Sequence, residues 1–82
     1  MFKNKANGEN NICGKKILEL RKNSTPKMSQ RALADKMQIE GIDIEKNAIQ
    51  RIEAGKRFVT DIELVVFAKV FNVSCEYLLG LN

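Results

Sequence analysis

The sequence contains no histidine, and so lacks the side chain most used for acid–base catalysis near neutral pH and for metal ligation. Its two cysteines, Cys13 and Cys75, stand far apart and in no CxxC pair. That excludes a disulfide-dense secreted scaffold and a zinc module, and both are expected as small buried apolar residues. No apolar run approaches the ~20 residues that span a bilayer, and the polar stretch from Met1 to Asn11 has no apolar segment of the signal-peptide kind. The chain is therefore expected in the cytoplasm and off the membrane. Nor is there a grouping of nucleophile, base and metal ligand. Asp35, Asp43 and Glu45 read most simply as surface carboxylates, and Ser24, Ser29 and Ser74 fall at loop or cap positions. No catalytic residue, metal site or cofactor is expected.

What is present is enough for one small folded domain. At 82 residues, with 44% hydrophobic and 29% charged side chains, the chain can build a single core but has little room for a deep enclosed site. Function is then expected on the surface. The charge is unevenly spread: residues 1 to 57 carry 13 Lys/Arg against 7 Asp/Glu, whereas residues 58 to 82 carry one Lys against three acids. A basic region of this kind attracts nucleic acid or an anionic membrane surface, and charge alone does not separate these from solubility.

Residues 1–11, rich in Asn and Lys and without period, read as a flexible polar arm whose one large apolar group is Phe2. Residues 12–82 read as the folded domain. From Ile12 to Lys22, Cys13, Ile17 and Leu20 recur at helical spacing, and the helix stops in Asn23-Ser-Thr-Pro26. Ser29 offers an N-cap to a second helix from Gln30 to about Gln38, with Leu33 and Met37 stacked at i, i+4. Ile39 to Ile44 alternates like a strand but is short and isolated, and reads as a turn around Gly41. A third helix runs from Glu45 to Ala54, with Gly55 placed to end it. Thr60-Asp-Ile-Glu63 has the form of a capping box and opens a fourth helix. This helix has a core row of Leu64, Phe67, Ala68 and Phe71 and a second apolar row of Ile62, Val66 and Val70. The double row predicts a helix central in its bundle, or else a patch that pairs two copies with help from Tyr77 and Leu81. Ser74 caps a short fifth helix. The fold expected is all-α, a compact five-helix bundle.

On the third helix, Ala48, Ile49 and Ile52 point one way, while Lys46, Asn47, Gln50 and Arg51 share the opposite side. Such a face is either simply solvated or fitted to base edges in the major groove, where Arg and Lys donate to guanine and Asn and Gln pair bidentately with adenine. Context favours the second: a helix, a turn with Gly, a second helix, then Gly55-Lys-Arg57 placed to reach flanking phosphates.

In the segments Gly14-Lys-Lys-Ile-Leu-Glu-Leu-Arg21, Met28-Ser-Gln-Arg-Ala-Leu-Ala-Asp-Lys-Met37, Ile49-Gln-Arg-Ile-Glu-Ala-Gly-Lys-Arg57 and Leu64 to Leu79, the chain resembles the lambda-repressor-like, Cro/CI-type (XRE) helix-turn-helix family. The resemblance covers about residues 12 to 80. It implies a domain that binds double-stranded operator DNA, often as a homodimer, with helices two and three forming the helix-turn-helix. It further implies Lys46, Asn47, Gln50 and Arg51 as base readers, and Lys56 and Arg57 as phosphate contacts. Gln30 is implied to touch the sugar-phosphate backbone and brace the third helix. Ala34 becomes the small residue that lets helices two and three approach, and Arg21 and Glu53 an ion pair between helices one and three. One departure stands out: the stretch from Gln38 to Ile44 makes the turn about five residues longer than the family's usual one.

The function expected is that of a small transcriptional regulator, a repressor of the phage type. The competing class is a protein-binding module on the same fold, such as the antitoxin of a toxin–antitoxin pair, since fold does not fix function. With no second domain in the chain, an effector-sensing pocket is not expected.

Overall fold

Short polar side chains decide where four of the helices begin. The computed structural model describes residues 5–81, and among these it contains five helices: α1 (Gly14–Lys22), α2 (Gln30–Ile39), α3 (Lys46–Glu53), α4 (Asp61–Phe71) and α5 (Cys75–Leu78). Phe2 and Asn82 lie outside the described residues. A helix leaves its first backbone N–H groups without intrahelical partners. Here the Ser29 hydroxyl accepts from Ala32 N–H at 3.0 Å, the Thr60 hydroxyl from Glu63 N–H at 3.1 Å and the Ser74 hydroxyl from Tyr77 N–H at 3.0 Å. The Glu63 carboxylate returns a bond to Thr60 N–H at 2.9 Å, completing the capping box. In front of α1 the Asn11 amide oxygen takes Gly14 N–H at 2.8 Å. The helix therefore starts two residues later than the apolar spacing from Ile12 predicts. α3 is the exception: Glu45 stands at its N-cap with extended backbone, and its side chain makes no capping bond.

Four of the helices, α2 to α5, end at a left-handed residue, Gly41, Gly55, Asn72 and Gly80 in turn. At α3, Gly55 has φ +76°, its N–H donates to the Ile52 carbonyl at 3.0 Å, and Lys56 N–H reaches back to Arg51 at 2.9 Å. This left-handed step is open to glycine at little cost, and it stops the helix one residue before Ala54, the end predicted from the sequence.

The core draws on every helix. Ile17 from α1, Leu33 and Met37 from α2, Ile49 and Ile52 from α3, Phe67 from α4 and Leu78 from α5 are fully buried. The long α2–α3 connection joins this core through Ile44, which is 1% exposed. The connection is held by the Gln38 amide donating to the Ile44 carbonyl at 2.8 Å and by Ile42 N–H donating to the Met37 carbonyl at 3.0 Å. Its extra residues are thus a second anchored turn and not slack. Ala34, 2% exposed, lies where α2 meets α3. α4 is not enclosed in the bundle. Val66 and Val70 pack against the core, but Ile62 is 66% exposed and Val65 58%. Lys69 of α4 pairs with Glu40 at 2.7 Å, and Lys16 of α1 lies 4.8 Å from the centre of the Tyr77 ring.

Gly14 lets α1 lie close against α3, because a Cβ added there would run into the Ile52 carbonyl oxygen. Gly14→Ala is expected to force the two helices apart and to cost about 1–3 kcal/mol, the usual range for overpacking. Urea unfolding followed by circular dichroism measures this, and an unchanged midpoint would show that the approach is not tight.

Candidate nucleic-acid interface

A helix that reads another molecule must hold its outward side chains still, and α3 is held from beneath by a buried carboxylate. Glu53, the last residue of α3, has a side chain only 4% exposed. The Arg21 guanidinium forks onto it, Nε to Oε2 at 2.7 Å and Nη2 to Oε1 at 2.9 Å, while Arg21 Nη1 donates to the Met28 carbonyl at 3.1 Å. Gln30, the first residue of α2, adds a bond from Nε2 to Glu53 Oε1 at 3.0 Å. One carboxylate therefore accepts from α1 and from α2 and fixes α3 against both. Ile49 and Ile52 complete the inward side, and the contact with Glu53 draws the Arg21 pKa upward.

With that side buried, Lys46, Asn47, Gln50 and Arg51 are all exposed. Lys46 and Asn47 border an open cleft of about 350 Å³ between α2 and α3, whose other walls include Arg31, Asp35, Gln38 and Glu45. At this end of α3 two carboxylates face the same space as the cations. Lys56, beyond the other end, is exposed and forms no ion pair among the described residues.

Arg57 is placed differently from its neighbour. Its guanidinium forks onto Glu63, Nη1 to Oε1 and Nη2 to Oε2, each at 3.0 Å, and Nη1 also donates to the Phe58 carbonyl at 3.0 Å. Its side chain remains 32% exposed. Arg57 thus ties the α3–α4 loop to the capping box of α4.

Two residues beside the interface escaped the sequence analysis. Asn10 and Asn11 bond to backbone carbonyls between Ile52 and Arg57. They arrive there through a tight turn at Asn7-Gly8, with φ +53° and +81°, closed by Ala6 N–H to Glu9 O at 2.8 Å and Glu9 N–H to Ala6 O at 2.9 Å. An Asn-Gly pair is the strongest short-range signal for such a turn and was there to be used. Arg31 was also passed over. It is exposed in the cleft beside Lys46.

Among the described residues, no group of three His, Cys, Asp or Glu is placed to hold a metal, and no helix is long and apolar enough to cross a membrane. Cys13 and Cys75 are free thiols. Burial pushes the Cys13 thiol up to about 11, which keeps it protonated near neutral pH.

A family model described as helix-turn-helix, of the XRE, Cro/CI type, matches residues 17–78. Neither the curated proteins nor the solved structures compared with the chain include a significant match to it.

The Glu63 pair generates a pH prediction. Burial on its own would raise the Glu63 carboxyl, but the bonds from Arg57 and Thr60 outweigh it and hold the group below its ordinary value of 4.5. A carboxyl depressed by folding contributes stability that is present above 4.5 and lost as pH falls through the folded value. Glu63→Gln is therefore expected to be less stable than the wild type at pH 7 and to lose less stability on acidification. Urea midpoints between about pH 3 and 7 test this through the linkage slope, and parallel curves for the two proteins would count against it.

Proposed function

Because the chain belongs to the helix-turn-helix family of XRE, Cro/CI type, a family of DNA-binding domains, we propose that it is a sequence-specific transcriptional regulator, a repressor, that binds operator DNA as a homodimer. The observation carrying this is the make-up of α3. One side is fully buried and locked through Glu53, and the other presents Lys46, Asn47, Gln50 and Arg51 together in the open. Two cations and two amides supply the donors and acceptors that base edges in the major groove require. Lys56 follows in a loop and contacts phosphate, where charge carries no sequence information. Arg57 meets phosphate with the part of its guanidinium that Glu63 leaves exposed. Gln30 gives one amide N–H to Glu53, and the amide's second N–H serves a phosphate oxygen.

The second copy pairs through the outer side of α4. Ile62 and Val65 are exposed there, and Asp61 and Lys69 lie four residues to either side of Val65. A two-fold axis at Val65 sets each aspartate against the other copy's lysine, the self-complementarity such an interface needs, with Lys69 exchanging its Glu40 partner for the second copy's Asp61. A dimer also suits operators whose half-sites are about one helical turn apart.

Two measurements follow. Against a matched and a scrambled operator over a salt series, Arg51→Ala is expected to lower the specificity ratio by removing a contact worth about 1–3 kcal/mol. Lys56→Ala is expected to preserve the ratio and flatten the salt slope by about one unit. If neither changes DNA affinity, α3 is a solvated face and the protein-binding class is to be preferred. In sedimentation, Val65→Glu is expected to shift the DNA-bound species from two copies to one, whereas a wild type that is monomeric both free and on DNA removes the dimer.

A further inference from the structure

Resting on the DNA-binding reading above, we infer that Asn10 and Asn11 are positioning residues: they clasp the loop that carries Lys56, making the segment before α1 a working part of the DNA-contacting end of the domain. Four carbonyls of the α3 terminus and its loop are taken up by these two residues. The Asn11 amide nitrogen donates to the Ile52 carbonyl at 3.0 Å and to the Arg57 carbonyl at 2.8 Å, while its oxygen accepts from Gly14 N–H at 2.8 Å. Asn10 donates its backbone N–H to the Gly55 carbonyl at 2.8 Å and its side-chain amide to the Lys56 carbonyl at 2.9 Å.

Lys56 needs this support. A lysine ammonium rides on a flexible four-carbon stem, so it can be presented to a phosphate only as well as its backbone is fixed. Before it, the loop is pinned by the bonds that end α3, and after it by Arg57 on Glu63. At Lys56 itself, the side-chain bond from Asn10 holds the carbonyl. The clasp also occupies the Gly55, Lys56 and Arg57 carbonyl oxygens just beyond the negative end of the α3 dipole, which would otherwise be free to turn toward phosphate and repel it. At Gly14 the fit is tight against backbone, since a Cβ added there would meet the Ile52 carbonyl that Asn11 also holds. The chemistry asks for an amide at position 11, since one side chain must donate to two carbonyls and accept from an N–H. A carboxylate can only accept.

The test uses the full chain on a selected operator and a scrambled duplex across a salt series. The variants are Asn10→Ala, Asn11→Ala, Lys56→Ala and each asparagine change combined with Lys56→Ala, all at a temperature where melting curves show the protein folded. Each asparagine variant is expected to weaken both duplexes alike, by about two- to tenfold, the span of one net hydrogen bond. Each is also expected to flatten the salt slope as Lys56→Ala does. The double variants are expected to lose no more than Lys56→Ala alone, a non-additivity that a general loss of stability does not produce. Should Asn11→Ala not fold, Asn10→Ala, which gives up one exposed bond, carries the test. Folded asparagine variants that bind like wild type, or losses that simply add to that of Lys56→Ala, overturn the clasp and leave the DNA-binding reading in place. A wild type that binds neither duplex overturns both.

Discussion

The arrangement of the domain depends on one buried carboxylate. Burial of Ile49 and Ile52 sets which side of α3 faces the core, but hydrophobic contact is non-directional and leaves the helix room to slide and rock on that face. Glu53 removes that room. Its carboxylate is nearly fully buried and must keep its partners, because removing one partner from a buried pair costs about 3–5 kcal/mol through the charge left behind. Those partners are Arg21 on α1 and Gln30 on α2, so the demand for three hydrogen bonds at one end of α3 becomes a constraint on three helices at once. Lys46, Asn47, Gln50 and Arg51 face outward because Ile49 and Ile52 face in, and the Glu53 bonds fix that facing relative to α1 and α2.

Where the sequence was legible, the signal was local. Ser29, Thr60 with Glu63, Ser74 and Gly55 each act within three or four residues of their own position, and all four stand at helix ends in the structure. The apolar period of α2 and the outward set on α3 are equally short-range. Arg21 and Glu53 are 32 residues apart, and no spacing rule connects them. Only the family resemblance put them together. The segment before α1 shows the opposite failure. Its polar, aperiodic composition resembles that of a free arm, yet Asn10 and Asn11 satisfy backbone carbonyls more than forty residues away, and an apolar periodicity scan does not see bonds of that kind. For α4, burial of the second apolar row could not be derived from the pattern alone. Val66 and Val70 find neighbours and Ile62 does not.

Counting formal charge along the chain overstates the field at the interface. Arg21 and Arg57 belong to the basic first 57 residues, yet each has its guanidinium on a carboxylate, Glu53 and Glu63 respectively. Their charge is largely neutralised where it sits and both fix helices, which leaves Arg57 only its exposed part for the phosphate contact proposed above. Among the described residues, the cations beside α3 that form no ion pair are Arg31 and Lys46 at one end and Arg51 and Lys56 at the other, and on the proposed reading these supply the field that a phosphate backbone meets.

These two ends are not equivalent. Beside Lys46 and Arg31 the cleft also holds Asp35 and Glu45, and a carboxylate near a phosphate repels it. Beyond Arg51 the loop carries Lys56 in the open, with Glu63 occupied by Arg57. On the DNA-binding reading proposed above, phosphate attraction is therefore strongest at the C-terminal end of α3, where the local helix dipole opposes it and a side-chain cation must supply it. On that reading, discrimination draws on the whole outward side, Lys46 and Asn47 at the N-terminal end and Gln50 and Arg51 toward the other, because base edges differ in their patterns of donors and acceptors. The proposed phosphate contacts thus gather at one end of the helix while the proposed base readers run along its length, and the lock at Glu53 holds both to one backbone.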